Sequence, residues 1–222
     1  MDVHVTGLLH FLQAIKERSS QCRLFYAASS LIFGDAPGEA QDEQTPLNPT
    51  CVYGITKATG VQCCRLFRAT HGVFSSVGIL YNHESALRRE TFVSQKIVQG
   101  AWRIQRGQET KLVLGDLSAE VDWGYAPDFT EAMTKILALD APDDFVIATG
   151  ELHSIREFVT IAFGCLGLDW RKHVEEDPAL LGRKRSTRRG NPAKLQALCG
   201  WRPSVSFEEM IHLLIEAQRD VR

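Results

Sequence analysis

The 222-residue chain is 44% hydrophobic and 23% charged, proportions ordinary for a globular protein with one sizeable core. A formal net charge of -2 gives no electrostatic reason for a nucleic-acid or anionic-membrane partner. Its apolar runs fall well short of the ~20 residues that a membrane span needs, and no basic-then-apolar leader opens it, so the expectation is a cytoplasmic protein.

Val5, Leu8, Leu9, Leu12 and Ile15 recur at helical spacing, which predicts that the chain opens inside a helix over Val3 to Glu17. Arg23 to Ala28 is an apolar run ending in Ser29 and Ser30, a buried strand that delivers two hydroxyls to its carboxyl end. A Pro-, Gly- and acid-rich segment closes with Thr45-Pro46-Leu47-Asn48-Pro49 before a helix over Tyr53 to about His71. Ser75 to Tyr81 reads as a second strand, Phe92 to Arg106 as a helix, and Lys111 to Leu114 as a short strand. A helix at about Pro127 to Leu137 and a strand at Phe145 to Ala148 follow. Ser154 to Leu166 has the Ser154/Glu157 spacing of a capping box, and Ser206/Glu209 repeats it ahead of a last helix to Arg219. That helix is expected to bury Met210, Leu213, Leu214 and Ala217 on one side.

Strands alternating with helices imply an α/β fold, a partial Rossmann-like parallel sheet flanked by helices. The alternation fades from about Arg171. Residues 1–170 are therefore expected to form the sheet domain, with some substrate-lobe elements, and 171–222 a small C-terminal substrate-binding lobe. The basic run Arg183 to Arg189 reads as loop, either solvated or meeting a diphosphate. Six cysteines, Cys22, Cys51, Cys63, Cys64, Cys165 and Cys199, show neither CxxC pairing nor histidine spacing suited to zinc, so they read as buried or incidental thiols and no metal is expected.

Tyr53-Gly54-Ile55-Thr56-Lys57 carries the chemistry. Four residues apart on a helix, Tyr53 and Lys57 share a face. A tyrosine hydroxyl titrates near ~10, and a neighbouring cation favours the phenolate, giving a proton donor and acceptor for a sugar or alcohol hydroxyl. Spacing alone also fits two surface residues on an ordinary helix. A strand, a serine, a proline-rich loop and then YxxxK is far more specific. That order resembles the catalytic half of the extended short-chain dehydrogenase/reductase superfamily.

Longer phrases resemble the GDP-mannose 4,6-dehydratase family: Asn82-His83-Glu84-Ser85 with Arg88, Asp122-Trp123-Gly124-Tyr125-Ala126-Pro127-Asp128, and Phe145 through Phe158. The likeness runs from about Val5 to the last helix and is weakest over Arg171 to Arg189. It implies NADP as cofactor and GDP-mannose as substrate, converted to GDP-4-keto-6-deoxymannose. By residue match it implies Tyr53 and Lys57 for hydride transfer at sugar C4, Ser29 on the same sugar oxygen, Lys57, His83 and Arg88 on the cofactor, and Asn82 facing the nucleotide-sugar. His83 as an ordinary loop histidine and Arg88 as a solvated charge are the plainer readings. A homo-oligomer is left open.

Two departures stand out. The family's glutamate, two residues after the catalytic hydroxyl, is Leu31 here. Leucine transfers no proton, and a lost general base costs ~10²- to 10⁴-fold, so Ser29 with Leu31 also suits C4 oxidation or reduction, as in nucleotide-sugar 4-epimerases and reductases. Asp35 or Glu39 could substitute only by folding back. The family's glycine-rich turn, which binds the cofactor pyrophosphate, is also absent, as though the chain starts roughly 100 residues late. A fragment of a full enzyme, a non-catalytic nucleotide-sugar-binding remnant, and a missing half supplied by another chain are the three expectations.

Overall fold

A computed structural model describes residues 2–35, 40–180 and 187–219. The opening segment is a five-residue π-helical turn, Asp2–Thr6, that runs into α1 (Gly7–Arg18). The periodicity had predicted one continuous helix. Leu8, Leu12 and Ile15 of α1 are buried, while Leu9 is 36% exposed, so the buried stripe is narrower than expected.

The main sheet has three parallel strands in the order β1 (Leu24–Ala27), β2 (Ser75–Leu80) and β7 (Asp144–Ile147). Leu24 pairs with Ser75 and Val77 with Asp144. Parallel strands need crossover connections, and helices supply them. Between β1 and β2 runs α2 (Val52–His71), capped at its start by Cys51, whose Sγ accepts from Gly54 N at 3.3 Å. It ends at Gly72, whose φ of +64° is a left-handed C-cap conformation that glycine adopts without strain.

β2 is central and buried at all six positions, so its side chains divide between two faces with period two. Val77, Ile79 and Tyr81 pack with Val146 and Ala148 against α1 and α2. On the other face Leu80, Phe145 and Ile147 pack against Phe129, Ala132 and Ile136 of α4 (Ala126–Ala138), with Leu195 of α6 (Ala193–Cys199) and Trp201. At ~1.5–3 kcal/mol per fully buried large aliphatic or aromatic side chain, these two layers supply most of the driving force for the sheet body. Gly78 is required where it stands: a Cβ there would come within 2.2 Å of the Phe25 ring.

A further cluster joins α3 (Val93–Gln105), α5 (Ile155–Cys165) and α7 (Phe207–Ala217) around Ile97, Phe158, Val159, Phe163 and Leu214. α5 carries the expected capping box, with both the Ser154 and Glu157 bonds made. On α7 the buried residues are Met210, Ile211, Leu214 and Ile215; Leu213 is only partly buried and Ala217 is exposed. The stripe is thus rotated from the sequence expectation. The carbonyl of Ile215 receives the Trp102 indole N–H at 2.9 Å, which brings that side of the helix against α3.

Three short pairings lie outside the main sheet; of their strands, the sequence predicts only the one at Lys111 to Leu114. β3 (Asn82–Glu84) pairs with β6 (Trp123–Tyr125) in parallel, and β4 (Leu112–Leu114) pairs likewise with β9 (Val174–Glu176). β5 (Glu120–Val121) pairs antiparallel with β8 (His153–Ser154). Among the described residues no helix is long and apolar enough to cross a membrane.

Candidate active site

The carboxyl ends of the main strands form the site, because there the chain leaves regular structure and turns side chains into open space. After β1, Ser29 caps a single 3₁₀ turn, Ser30–Ile32, and its Oγ accepts from Leu31 N at 3.3 Å. The first turn of α2 presses onto this corner. A Cβ at Gly54 would stand 2.6 Å from Leu31 O and 3.0 Å from Pro49 Cβ, so the glycine inside the Tyr-Lys motif is a packing requirement.

Tyr53 is 45% exposed on that turn. One turn on, Lys57 Nζ donates to Ala27 O at 2.8 Å and lies 5.7 Å from the centroid of the Tyr53 ring. The expected dyad is therefore assembled, and the carbonyl that anchors its ammonium sits two residues before Ser29. Burial lowers the Lys57 pKa from its ordinary value. Beneath it lies Tyr26, whose ring centroid is 5.3 Å from Nζ. The buried Tyr26 hydroxyl lacks a hydrogen-bond partner among the described residues, and burial drives its pKa far up. Gly60 makes room for it; a Cβ there would stand 2.1 Å from the hydroxyl.

A residue that the sequence did not flag joins this corner. His4, from the opening turn, meets the Tyr53 ring edge-on, with centroids 5.5 Å apart and planes at 77°. Its Nδ1 lies 3.1 Å from Thr56 Oγ1. A single histidine in an amphipathic run carries no local signal for such a role.

The expected cofactor residues lie after β2. His83 Nδ1 lies 2.8 Å from Tyr81 O, and a carbonyl can only accept, so Nδ1 carries the proton and Nε2 the lone pair. The ring stacks on Phe129 at 5.0 Å, and burial followed by the Arg88 charge lowers its pKa. Arg88 is no loosely solvated charge. Its Nε stands 3.0 Å from buried Glu84, Nη1 donates to His83 O at 3.2 Å, and the guanidinium lies 3.8 Å from the Phe92 ring centroid. Glu84 also accepts from Ser94 Oγ at 2.5 Å, though burial still pushes its carboxyl pKa up. Asn82 opens β3 and is exposed.

Asp122 is 1% exposed. It accepts from Thr149 N (2.9 Å), Thr149 Oγ1 (2.6 Å), Gly150 N (3.0 Å) and Gly190 N (3.1 Å). The backbone at Gly190 bridges to Gln41, whose side chain accepts from Tyr81 Oη at 2.9 Å. Gly190 admits this path, since a Cβ would meet Ala148 Cβ at 2.3 Å. Arg188, in the basic run, donates to Gly34 O at 2.8 Å and stands 3.9 Å from Asp35. Glu39, like residues 183–186 of that run, lies outside the described residues. Leu31 is half-buried, and its backbone N and O lie at the corner against Ser29 Oγ and Gly54.

The Tyr53–Lys57 corner suits the reacting end of a nicotinamide cofactor: an ammonium with two N–H bonds unspent on Ala27, a phenol, and a serine hydroxyl whose proton is not used by Leu31. Nothing among the described residues supplies a strand, glycine-rich turn and helix for a pyrophosphate.

A parallel sheet with these strand ends is of the Rossmann type found in short-chain dehydrogenases/reductases. RMD from Pseudomonas aeruginosa, complexed with NADPH, superposes with a TM-score of 0.92 at 19% identity, covering 100% of this chain and 74% of that one. UDP-glucose 4-epimerase from Thermus thermophilus, in complex with NAD, gives 0.84 at 25% identity over 100% and 71%. Within that class the chain belongs to the GDP-mannose 4,6-dehydratase family, whose model matches residues 1–214. GDP-mannose 4,6 dehydratase 1 of Arabidopsis thaliana is 36% identical over 220 residues, 97% of this chain and 61% of that protein. The Homo sapiens GDP-mannose 4,6 dehydratase is 34% identical over 239 residues, 97% and 63%. The chain thus spans about three fifths of the length of these relatives.

Proposed function

We propose that this chain is the sugar-handling part of a GDP-mannose-modifying enzyme, in which Tyr53, Lys57 and Ser29 act on the C4 hydroxyl. What supports the reading is the Lys57 ammonium held against the Tyr53 ring at the end of the strand that delivers Ser29. Tyr53 Oη takes the hydroxyl proton as C4 is oxidised. Lys57 favours the negative charge that develops on the phenol oxygen. Ser29 spends a lone pair on Leu31 N, so its own proton is available to the same sugar oxygen. NADP, when bound, would accept and return the hydride, with Lys57 on its ribose and His83 and Arg88 beside it. Asn82 is assigned to the nucleotide-sugar. Placement in the cytoplasm and assembly into a homo-oligomer belong to the same reading.

Incubating the purified chain with GDP-mannose and NADP tests it. Accumulation of a 4-keto-6-deoxy product supports the dehydratase reading, and its absence removes that reading for this chain. Leu31 favours a second reading, C4 epimerisation or reduction, because leucine at the position of the family's glutamate transfers no proton. That reading expects C4 chemistry without loss of water, and a gain of dehydration in Leu31→Glu.

A further inference from the structure

His4 stands at the Tyr53–Lys57 corner, and neither the motif nor the proposed chemistry gives it a task. Thr56 Oγ1 donates its only proton to Tyr53 O at 2.8 Å. At the 3.1 Å contact with His4, the hydroxyl must therefore accept, and the neutral imidazole carries its hydrogen on Nδ1. The ring is tied through Nδ1 and meets Tyr53 edge-on, an arrangement that aromatic pairs favour. Tyr53 has been left 45% exposed, so few contacts fix its ring.

We propose that His4 is a positioning residue for Tyr53: anchored to Thr56 and laid against the phenol, the uncharged imidazole sets the direction from which the Tyr53 hydroxyl meets its substrate. The assignment rests on the proposed function for its purpose, but not for its geometry. Protonation undoes the arrangement. The titratable groups facing His4 from α2 are Tyr53 and Lys57. A second cation beside Lys57 is unfavourable, and partial burial followed by Lys57 lowers the His4 pKa. Because the folded value lies below the unfolded one, the anchoring is fully present above the ordinary histidine value of ~6.5. It is lost as pH falls through the folded value.

The experiment is an NMR titration of the isotopically labelled chain, following the His4 imidazole and the Tyr53 ring protons. We expect the Nδ1–H tautomer at neutral pH, a His4 midpoint below that of an unfolded histidine, and an upward shift of that midpoint in Lys57→Met. The Tyr53 ring signals should move with the same midpoint. In His4→Phe, which keeps a ring but cannot charge, they should stay fixed across that range. An Nε2–H tautomer, a midpoint indifferent to Lys57→Met, or Tyr53 signals indifferent to the His4 titration would overturn the assignment. Wild type alone suffices for the first and third readouts if a variant fails to fold. Neither sugar nor cofactor enters the measurement, so a chain without turnover on GDP-mannose leaves the result standing, and failure here leaves the proposed function untouched.

Discussion

Two polar corners use their hydrogen-bonding capacity in opposite ways. At Asp122 a fully buried carboxylate accepts from Thr149, Gly150 and Gly190 and joins three loops. At Tyr53 and Lys57 the phenol is exposed, the ammonium makes one bond to Ala27 O, and Ser29 keeps its proton. Capacity spent inside the protein holds structure together; capacity left over is available for a reactant. Burial without partners is costly, so groups in the second condition must sit where water can reach them until substrate arrives.

Substitutions should break the two corners differently. Tyr53→Phe removes the proton acceptor and should lower sugar oxidation by ~10²- to 10⁴-fold, while the free energy of urea unfolding stays within ~0.5 kcal/mol of wild type, as for a surface change. Equal losses of activity and stability would erase the contrast. Asp122→Ala should do the reverse, costing on the order of 2–4 kcal/mol in urea unfolding by orphaning several donors at once. Gly54→Ala drives a Cβ into Leu31 O and sharpens the comparison, because it strikes the packing under the reactive corner. A loss of about 1–3 kcal/mol is expected, together with reduced sugar oxidation. Smallest is the α5 cap: Ser154→Ala should cost ~1 kcal/mol. Backbone and side-chain bonds from Ser154 lower the Glu157 pKa, against a smaller opposing effect of burial. Its contribution is therefore present above the ordinary glutamate value and lost as pH falls through the folded one. Glu157→Gln should flatten the acid limb of the thermal midpoint.

The Tyr53–Lys57 corner was legible in the sequence because its logic is local. Helical spacing put Tyr53 and Lys57 on one face, and a strand run ending in serines put Ser29 beside them. The order of the long strands and helices was legible for the same reason. Asp122 was quoted only as part of a phrase, since its partners lie 27, 28 and 68 residues away and leave no spacing to read. β3 and β6 are three residues each, too short for alternation to declare itself. The α7 stripe was misjudged because Leu213 and Ile215 are equally apolar in sequence, and only the packing of α3 and α5 selects between them. His4 was invisible because its partners, Tyr53 and Thr56, come some fifty residues later in the chain.

The distance from Asp122 to Gly190 also bears on the order in which the molecule assembles. A chain made from its amino terminus can complete β1, α2 and β2 while later residues are still being added, but the Gly190 bond cannot close until a residue 68 positions after Asp122 has emerged. Bringing such remote ends together carries a loop-closure cost that local pairings avoid. The Gly190 loop therefore docks late, and a nascent chain can hold the Tyr53–Lys57 corner before Asp122 has met its most distant donor.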